Sequence, residues 1–210
     1  MSGWDAIVVG SGFGGAFTAL PLVETGARVL MLERGGWVPR GPDNWEPHGT
    51  MEHTPHFSFE TPIEVTEGGQ TSRVGLTTCV GGASVFYGGV SFRLREGDFT
   101  PSAHLAGNSG GRWPLGYADL EPYYERAEAL LEVAGEAGAD PTEPGRCGPY
   151  PCPPGPQGET SEKVAAAARS LGLRPFPLPM AIRYAAAARR CVLCPTCATF
   201  ACAVSAKHAL

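Results

Sequence analysis

Short apolar runs separated by small residues fill the first 36 positions of the chain. The run at residues 4–9, with its continuous Asp5-Ala6-Ile7-Val8-Val9 segment, predicts a strand buried on both faces. A second run, Val29-Leu30-Met31-Leu32, predicts another strand, and the segment between them predicts a helix that begins near Phe13 and ends at Gly26. Pro21 lies inside that helix and lacks a backbone donor, so we expect the helix to kink or shorten there.

Regular patterns are harder to find in the middle of the chain. Residues 37–70 are polar, rich in Pro and Gly and without a sustained period, which predicts an excursion over the surface. Val74 and Leu76 then lead into a glycine-dense loop, and residues 90–94 predict a short strand.

Two helices are predicted in the second half. Apolar residues at helical spacing between Asp119 and Val133 predict an amphipathic helix that packs through its apolar face. The members of that face are Leu120, Tyr123, Tyr124, Ala127, Leu130 and Leu131. Residues 141–158 are crowded with Pro and Gly and predict a loop, after which Thr160 or Ser161 can cap a helix that Gly172 ends.

Composition excludes several classes of partner. A chain of 210 residues with an ordinary apolar fraction predicts one or two domains, and a net charge of -5 provides no basic field for nucleic acid or anionic lipid. No apolar run approaches the ~20 residues needed to span a bilayer. A strand begins almost at residue 1 and leaves no room for a signal peptide, so we predict a cytoplasmic protein whose seven cysteines are free thiols, metal ligands or redox groups.

The first strand runs without a gap into Gly10-Ser11-Gly12-Phe13-Gly14-Gly15. Gly10 permits a sharp turn, Gly12 leaves room for a pyrophosphate, and Gly15 allows the helix to pack against the strand. The phosphates would then meet free N–H groups at the positive end of the helix. The alternative is a glycine-rich turn with no ligand; the agreement of strand, helix and following acid favours a dinucleotide site.

That acid is Glu33, at the end of the second strand. A carboxylate at this position can accept hydrogen bonds from both ribose hydroxyls of an adenosine, and it would repel a 2′-phosphate. The sequence therefore disfavours NADP.

A second glycine-dense stretch, residues 77–90, is also typical of a loop whose backbone contacts a ligand. Alone, it is equally typical of a flexible turn packed on a sheet. Together with the first motif it resembles the flavin-contacting loop of the glucose-methanol-choline (GMC) oxidoreductase family. The resemblance runs from Asp5 to the end of the chain. It rests on Gly10–Gly15, Leu32-Glu33-Arg34-Gly35, Val80-Gly81-Gly82-Ala83-Ser84, Gly88-Gly89, Phe92-Arg93, Asp98-Phe99, Trp113-Pro114-Leu115, Asp119–Tyr124 and, in a bacterial branch, Cys191–Lys207.

The resemblance implies an α/β, Rossmann-type FAD-binding fold that is partial, followed by the start of a second substrate or cap domain. Residues 1–100 would form the FAD-binding domain, with the dinucleotide motif at 5–36 and the flavin loop at 77–90, and residues 101–210 an incomplete helical and loop segment that leads toward the substrate domain. The implied cofactor-binding residues are Gly10, Ser11, Gly12, Phe13, Gly14, Gly15, Glu33, Arg34, Gly82, Ser84, Tyr87, Gly88 and Gly89. Phe86 stands where some members attach flavin through a histidine, so we expect non-covalent FAD, and Tyr87 stands where many have asparagine.

The implied activity is oxidation of the CH–OH group of an alcohol, sugar or sterol by hydride transfer to flavin. The family's histidine base comes from late in a much longer chain, and none of the five histidines here lies in a matching motif. We therefore assign no catalytic residue, expect this chain alone to be inactive, and expect uncovered sheet faces that need a complementing C-terminal chain or an electron-transfer partner. The alternatives are a small NAD-binding protein, or an inactive fragment or subunit with a metal-binding cysteine loop.

The cysteines near the C-terminus raise the question of a metal. Their close spacing suits zinc or an iron–sulfur cluster as well as reduced thiols, and Cys147 with Cys152 can be drawn as completing such a site. The residues in this run are Cys191, Cys194, Cys197 and Cys202. Cys79 is predicted to be a small packing residue. His48, His53 and His56, with Glu46 and Glu52, are better explained as solvent-exposed side chains than as a metal cluster.

Overall fold

A computed structural model describes residues 3–45, 58–100, 113–184, 191–194 and 197. The described helices and strands are β1 Ala6–Val9, α1 Phe13–Glu24, β2 Val29–Leu32, β3 Ser58–Glu67, β4 Gln70–Leu76, α2 Tyr117–Leu130 and α3 Glu159–Ser170. The chain forms two compact units, the first running to Gly88 and the second from Gly89 to Leu193. A domain boundary near residue 100 stays a prediction. None of the described helices has the length and apolar character needed to cross a membrane.

The first unit begins with a strand, helix and strand whose two strands are parallel, as predicted. β1 and β2 pair in register from Ala6 opposite Val29 to Val9 opposite Leu32. This is one βαβ unit of a Rossmann-type α/β fold. α1 does not end at Pro21 but continues to Glu24, so Pro21 does not shorten it, and the alternative, a kink at Pro21, stays a prediction. Packing of α1 against both strands offsets the loss of one backbone donor.

β1 is not buried on both faces, and that expectation is wrong. Val8 is buried, whereas Ile7 is 58% exposed and Val9 is 82% exposed. The sheet has only the two strands in the described residues, with α1 packed against it, so no second layer covers its other face. The expectation of uncovered apolar sheet faces is thereby confirmed.

Residues 58–70 form the first strand and the turn of a β-hairpin, which contradicts the prediction of an excursion without regular structure there. β3 and β4 are antiparallel and joined by Gly68-Gly69. Both glycines have positive φ, +56° and +79°, as a type I′ hairpin turn requires. The missed signals were this Gly-Gly pair and the alternation of Ile63 and Val65 with polar residues.

The second unit contains both predicted helices, and the inward face of α2 overlaps the predicted one, because Leu120, Tyr124, Ala127 and Leu131 are partly buried. That face is rotated from the prediction. Its buried residues are Tyr117 and Glu128, whereas Tyr123 is 68% exposed. The strand predicted at 90–94 is also wrong, because only Val90 makes an isolated bridge, to Met180.

A buried ionic cluster explains why α2 turns this face inward. Arg93, only 3% exposed, donates from Nε and Nη2 to the two carboxylate oxygens of Glu128 at 2.7 and 2.8 Å and from Nη1 to Tyr117 at 2.9 Å. Arg146 donates to Glu128 at 2.7 Å and to Glu143 at 2.9 Å. Burial alone would lower the pKa of Arg93, but its hydrogen bonds to Glu128 and Tyr117 hold the pKa above its ordinary value. Charges buried in this way are stable only while every partner is present.

Replacing Arg93 by methionine should therefore lower the free energy of unfolding by about 3–5 kcal/mol, because Glu128 would lose its bidentate partner while remaining buried. Lys163→Met provides a matched control, since its pair with Glu159 is exposed and should contribute less than about 1 kcal/mol. Urea unfolding followed by circular dichroism measures both. Equal losses for the two variants would contradict a stabilising role for the cluster.

Candidate functional site

The two glycine loops, some 70 residues apart in sequence, meet in the first unit. The N–H of Gly81 donates to Ser11 Oγ at 2.8 Å. A Cβ placed on Gly12 would lie 3.4 Å from the carbonyl oxygen of Gly81. The ring of Phe13 lies edge-on to the ring of Tyr87, with centroids 5.4 Å apart. The structure thus brings together residues that were assigned to one site from separate motifs.

The first glycine loop has an open approach to the N-terminus of α1. Gly10 has a φ of +93°, and its N–H donates to Leu32 O at 2.7 Å. Gly12 caps α1 without a side-chain hydrogen bond, so the N–H groups of the first helical turn have no cap from a side chain. No atom lies within 4 Å of a Cβ built on Gly14, whereas a Cβ on Gly15 would lie 1.9 Å from Gly10 O. Gly15 therefore permits close packing, and Gly14 leaves space in front of the helix.

Glu33 lies at the tip of β2 and accepts four hydrogen bonds. Oε2 accepts from Ser11 N at 3.0 Å and Ser11 Oγ at 2.7 Å, and Oε1 accepts from Arg34 N at 2.8 Å and Gly35 N at 3.1 Å. Partial burial raises the pKa of Glu33, but these hydrogen bonds outweigh it and lower the pKa from its ordinary 4.5 to about 2. The carboxylate is consequently ionised at neutral pH and is suited to accept hydrogen bonds from ribose hydroxyls.

Gly35 and Gly81 belong to the same arrangement but were not assigned to the site individually. A Cβ on Gly35 would lie 2.2 Å from Cys79 N, so only glycine permits this approach of the two segments. The adjoining Gly36 forms a parallel bridge with Cys79. Gly81 has a φ of +89°. Both glycines stand in the motifs that carried the family resemblance, which was the signal available in the sequence.

The second glycine loop turns sharply after Gly81. Residues Gly82–Phe86 form a short 3-10 turn, and Ser84 Oγ donates to Gly81 O. Cys79 is fully buried with Val38 and Val85, which confirms its predicted packing role.

The end of this loop crosses into the second compact unit. Gly88 belongs to the first unit and has open space around its α-carbon, whereas Gly89 belongs to the second. The carbonyl of Gly89 accepts from Ala181 N at 2.7 Å. Flavin contacts by Gly88 and Gly89, like those by Gly82, Ser84 and Arg34, stay predictions.

The structure does not support a metal centre at the cysteines. Among the residues it describes, no group of three or more His, Cys, Asp or Glu side chains is arranged to hold a metal ion. Cys202 lies outside the described residues, as do the histidines and glutamates between 46 and 56. Cys147 Sγ donates instead to Glu121 at 3.2 Å, and this hydrogen bond raises the pKa of the thiol, which disfavours the thiolate that a metal requires.

Comparison with known proteins identifies the family. No family model matches the chain. It is 38% identical over 208 residues to the 6'''-hydroxyparomomycin C oxidase of Streptomyces lividus, covering 92% of this chain and 36% of that protein. It is 35% identical over 209 residues to the paromamine 6'-oxidase of Streptomyces fradiae, covering 97% of this chain and 36% of that protein. Further relatives bear the name GMC-type oxidoreductase. The chain belongs to the GMC oxidoreductase family.

A solved GMC-family structure supports the fold of the chain. The pyridoxine 4-oxidase from Mesorbium loti matches with a TM-score of 0.50 at 24% identity, covering 86% of this GMC chain and 37% of that one. The chain spans about a third of the length of the curated relatives it matches.

The two adjacent glycines at the start of α1 provide a matched pair of variants. Gly15→Ala should lower the free energy of unfolding by about 1–3 kcal/mol, because its Cβ would collide with the backbone at Gly10. Gly14→Ala should raise it by roughly 0.5–1 kcal/mol, because a helical alanine has less conformational entropy to lose and its Cβ meets nothing. Urea unfolding without nucleotide measures both. Two variants of equal stability would show that Gly15 is not in close contact with Gly10.

Stability at acid pH should report the state of Glu33. Its lowered pKa means that ionised Glu33 stabilises the fold above pH 4.5, and that this stabilisation is lost as the pH falls toward about 2. Glu33→Gln cannot titrate, so the wild type should lose its advantage in unfolding free energy over this variant across that range.

The exposed Glu64 provides the control for this pH series. It pairs with Arg73 at 3.5 Å in the hairpin, and Glu64→Gln should differ little from the wild type at any pH. A gap between wild type and Glu33→Gln that stays constant down to pH 2 would contradict the assignment of a lowered pKa to Glu33.

Proposed function

We propose that this chain binds FAD non-covalently through its two glycine loops and Glu33. We further propose that it is part of an oxidoreductase that oxidises the CH–OH group of an alcohol or sugar. The observation that carries the proposal is the contact between the loops, in which Ser11 bonds both to Glu33 and to Gly81.

The residues fit the adenosine diphosphate half of the cofactor. Glu33 is an ionised acceptor for ribose hydroxyls, and the N-terminus of α1 offers backbone donors and a positive dipole end to a pyrophosphate. Open space around Gly14 leaves room for that group.

The second loop favours FAD over NAD. Binding of an adenine dinucleotide needs only the first loop, whereas here the segment from Gly81 to Tyr87 is packed against it. FAD held by these loops would supply an acceptor for a hydride from the substrate carbon. Phe86 has no nucleophilic atom to bond to the flavin, so the attachment is non-covalent.

The names of two relatives support an alcohol or sugar substrate. Both are oxidases, named for 6'''-hydroxyparomomycin C and for paromamine. We propose the same reaction type here, with the base that accepts the hydroxyl proton lying outside the assigned residues of this chain.

Exposed apolar residues on β1 and β2 support a need for further covering structure. Ile7, Val9 and Leu32 are all exposed on the two-stranded sheet. We propose that further segments of the protein, or a complementing chain, cover this sheet. A cytoplasmic location is part of the same proposal, and Cys79, Cys147 and Cys152, which form no disulfide, are consistent with it.

Titration with FAD, followed by quenching of flavin fluorescence, tests the proposal. The wild-type chain should bind FAD and retain it on gel filtration, and NADH should compete only weakly, because it shares the ADP half but gains nothing from the second loop. Glu33→Ala should weaken FAD about tenfold or more, because a ribose hydrogen bond to a charged acceptor is lost. Glu64→Ala, which removes an exposed carboxylate of the hairpin, should leave the affinity within about twofold. Absence of FAD binding, or equal affinity of Glu33→Ala and wild type, would refute the proposed function.

A further inference from the structure

The acceptor capacity of Glu33 is already filled by the protein. A carboxylate offers about four lone-pair positions, and Glu33 receives four donors, two on each oxygen. Ribose hydroxyls can bond to this carboxylate only if protein donors withdraw.

Only one of the four donors can withdraw without moving the main chain. Three are backbone N–H groups, of Ser11, Arg34 and Gly35, and each is fixed by the turn in which it lies. The fourth is the hydroxyl of Ser11, whose proton rotates about the Cβ–Oγ bond.

The same hydroxyl holds the second glycine loop. Ser11 Oγ accepts the N–H of Gly81 at 2.8 Å, at the point where a positive φ turns the chain into Gly82–Phe86. This bond uses the oxygen lone pairs and not the proton, so it persists when the proton turns away from Glu33. It is partly buried, which makes an unpaired Gly81 N–H costly.

We propose that Ser11 is a positioning residue that gives up its hydrogen bond to Glu33 when adenosine ribose binds and keeps its bond to Gly81, so that the nucleotide and the second loop are held in register. The proposal rests on the proposed binding of FAD and adds a link between the ribose carboxylate and the loop assigned to the flavin. No backbone movement is needed for the exchange.

Ser11→Ala should separate the two halves of the site. It frees one acceptor position on Glu33, so ADP, which reaches only the ribose and phosphate part, should bind within about twofold of wild type or more tightly. It leaves Gly81 N–H without its partner, so FAD should bind about five- to tenfold more weakly. The visible circular dichroism of bound FAD should change as well, because this signal reports the surroundings of the isoalloxazine.

Ser11→Thr retains the hydroxyl and should restore both the FAD affinity and the spectrum. Ser11→Gly removes the hydroxyl without adding a methyl group, and it replaces Ser11→Ala in the comparison if that variant does not fold. Thr18→Ala is the matched control, because Thr18 Oγ bonds to Gly14 O within α1 and touches neither Glu33 nor Gly81. Its ADP and FAD affinities should equal those of the wild type.

The outcomes distinguish this inference from the proposed function. Wild type that binds FAD, with equal losses of ADP and FAD affinity in Ser11→Ala, would overturn the link and leave FAD binding intact. FAD affinity and spectrum unchanged in the variant would overturn it too. Wild type that binds no FAD would overturn the proposed function and this inference together.

Discussion

The hydrogen bonds converging on Glu33 are the constraint on which the first unit depends. This carboxylate closes the tip of β2 through Arg34 N and Gly35 N, and through Ser11 it fixes the first glycine loop. The same serine reaches Gly81 and so brings in a segment from far along the chain. Because each of these donors lies on a turn rather than inside a helix or strand, without the carboxylate they would need other acceptors. The ionisation of Glu33 is therefore a structural requirement as well as a feature of the proposed ribose recognition.

The two units use charge in different ways. In the second unit, Glu128 lies between Arg93 and Arg146, with all three side chains buried. Removing either arginine would leave the buried carboxylate of Glu128 without one of its ion-pair partners. This cluster is therefore suited to stabilise the fold and not to exchange partners with a ligand. Neutral donors, mostly backbone N–H groups, stabilise the ionised form of Glu33, which is only partly buried. Exchanging one neutral hydroxyl for another at such a carboxylate costs little, and this difference explains why one acidic residue is suited to a ligand and the other is not.

Local signals were sufficient to predict the elements of the first unit. The strand, glycine loop, helix and acid-tipped strand could be predicted because each is encoded by adjacent residues, and the parallel pairing of β1 with β2 follows from a single crossover. The hairpin at Ser58–Leu76 was missed although its signal was also local, because the Gly68-Gly69 turn was counted as loop composition rather than as paired positive-φ positions. The contact of Ser11 with Gly81 could be expected only from the family resemblance, since nothing in either motif alone specifies its partner.

The remaining failures have a common physical origin in tertiary packing. Periodicity predicted much of the inward face of α2, but Arg93 provides a buried partner for Glu128 and Tyr117 and so rotates that face away from Tyr123. A buried arginine is invisible to a hydrophobic pattern because its burial depends on acceptors that come from distant segments.

For β1 the prediction was wrong in the opposite sense, because it expected more burial than the structure shows. The apolar pattern is that of a strand covered on both faces, yet no element covers the second face in the described residues. This uncovered apolar pattern supports the proposal that further structure covers the sheet. Two strands can present Glu33 and a glycine loop, because those contacts are local, but they cannot by themselves exclude water from the opposite face. The features proposed to recognise a nucleotide thus need only these two strands and their loops, whereas shielding the chemistry from water needs more structure than the described residues provide.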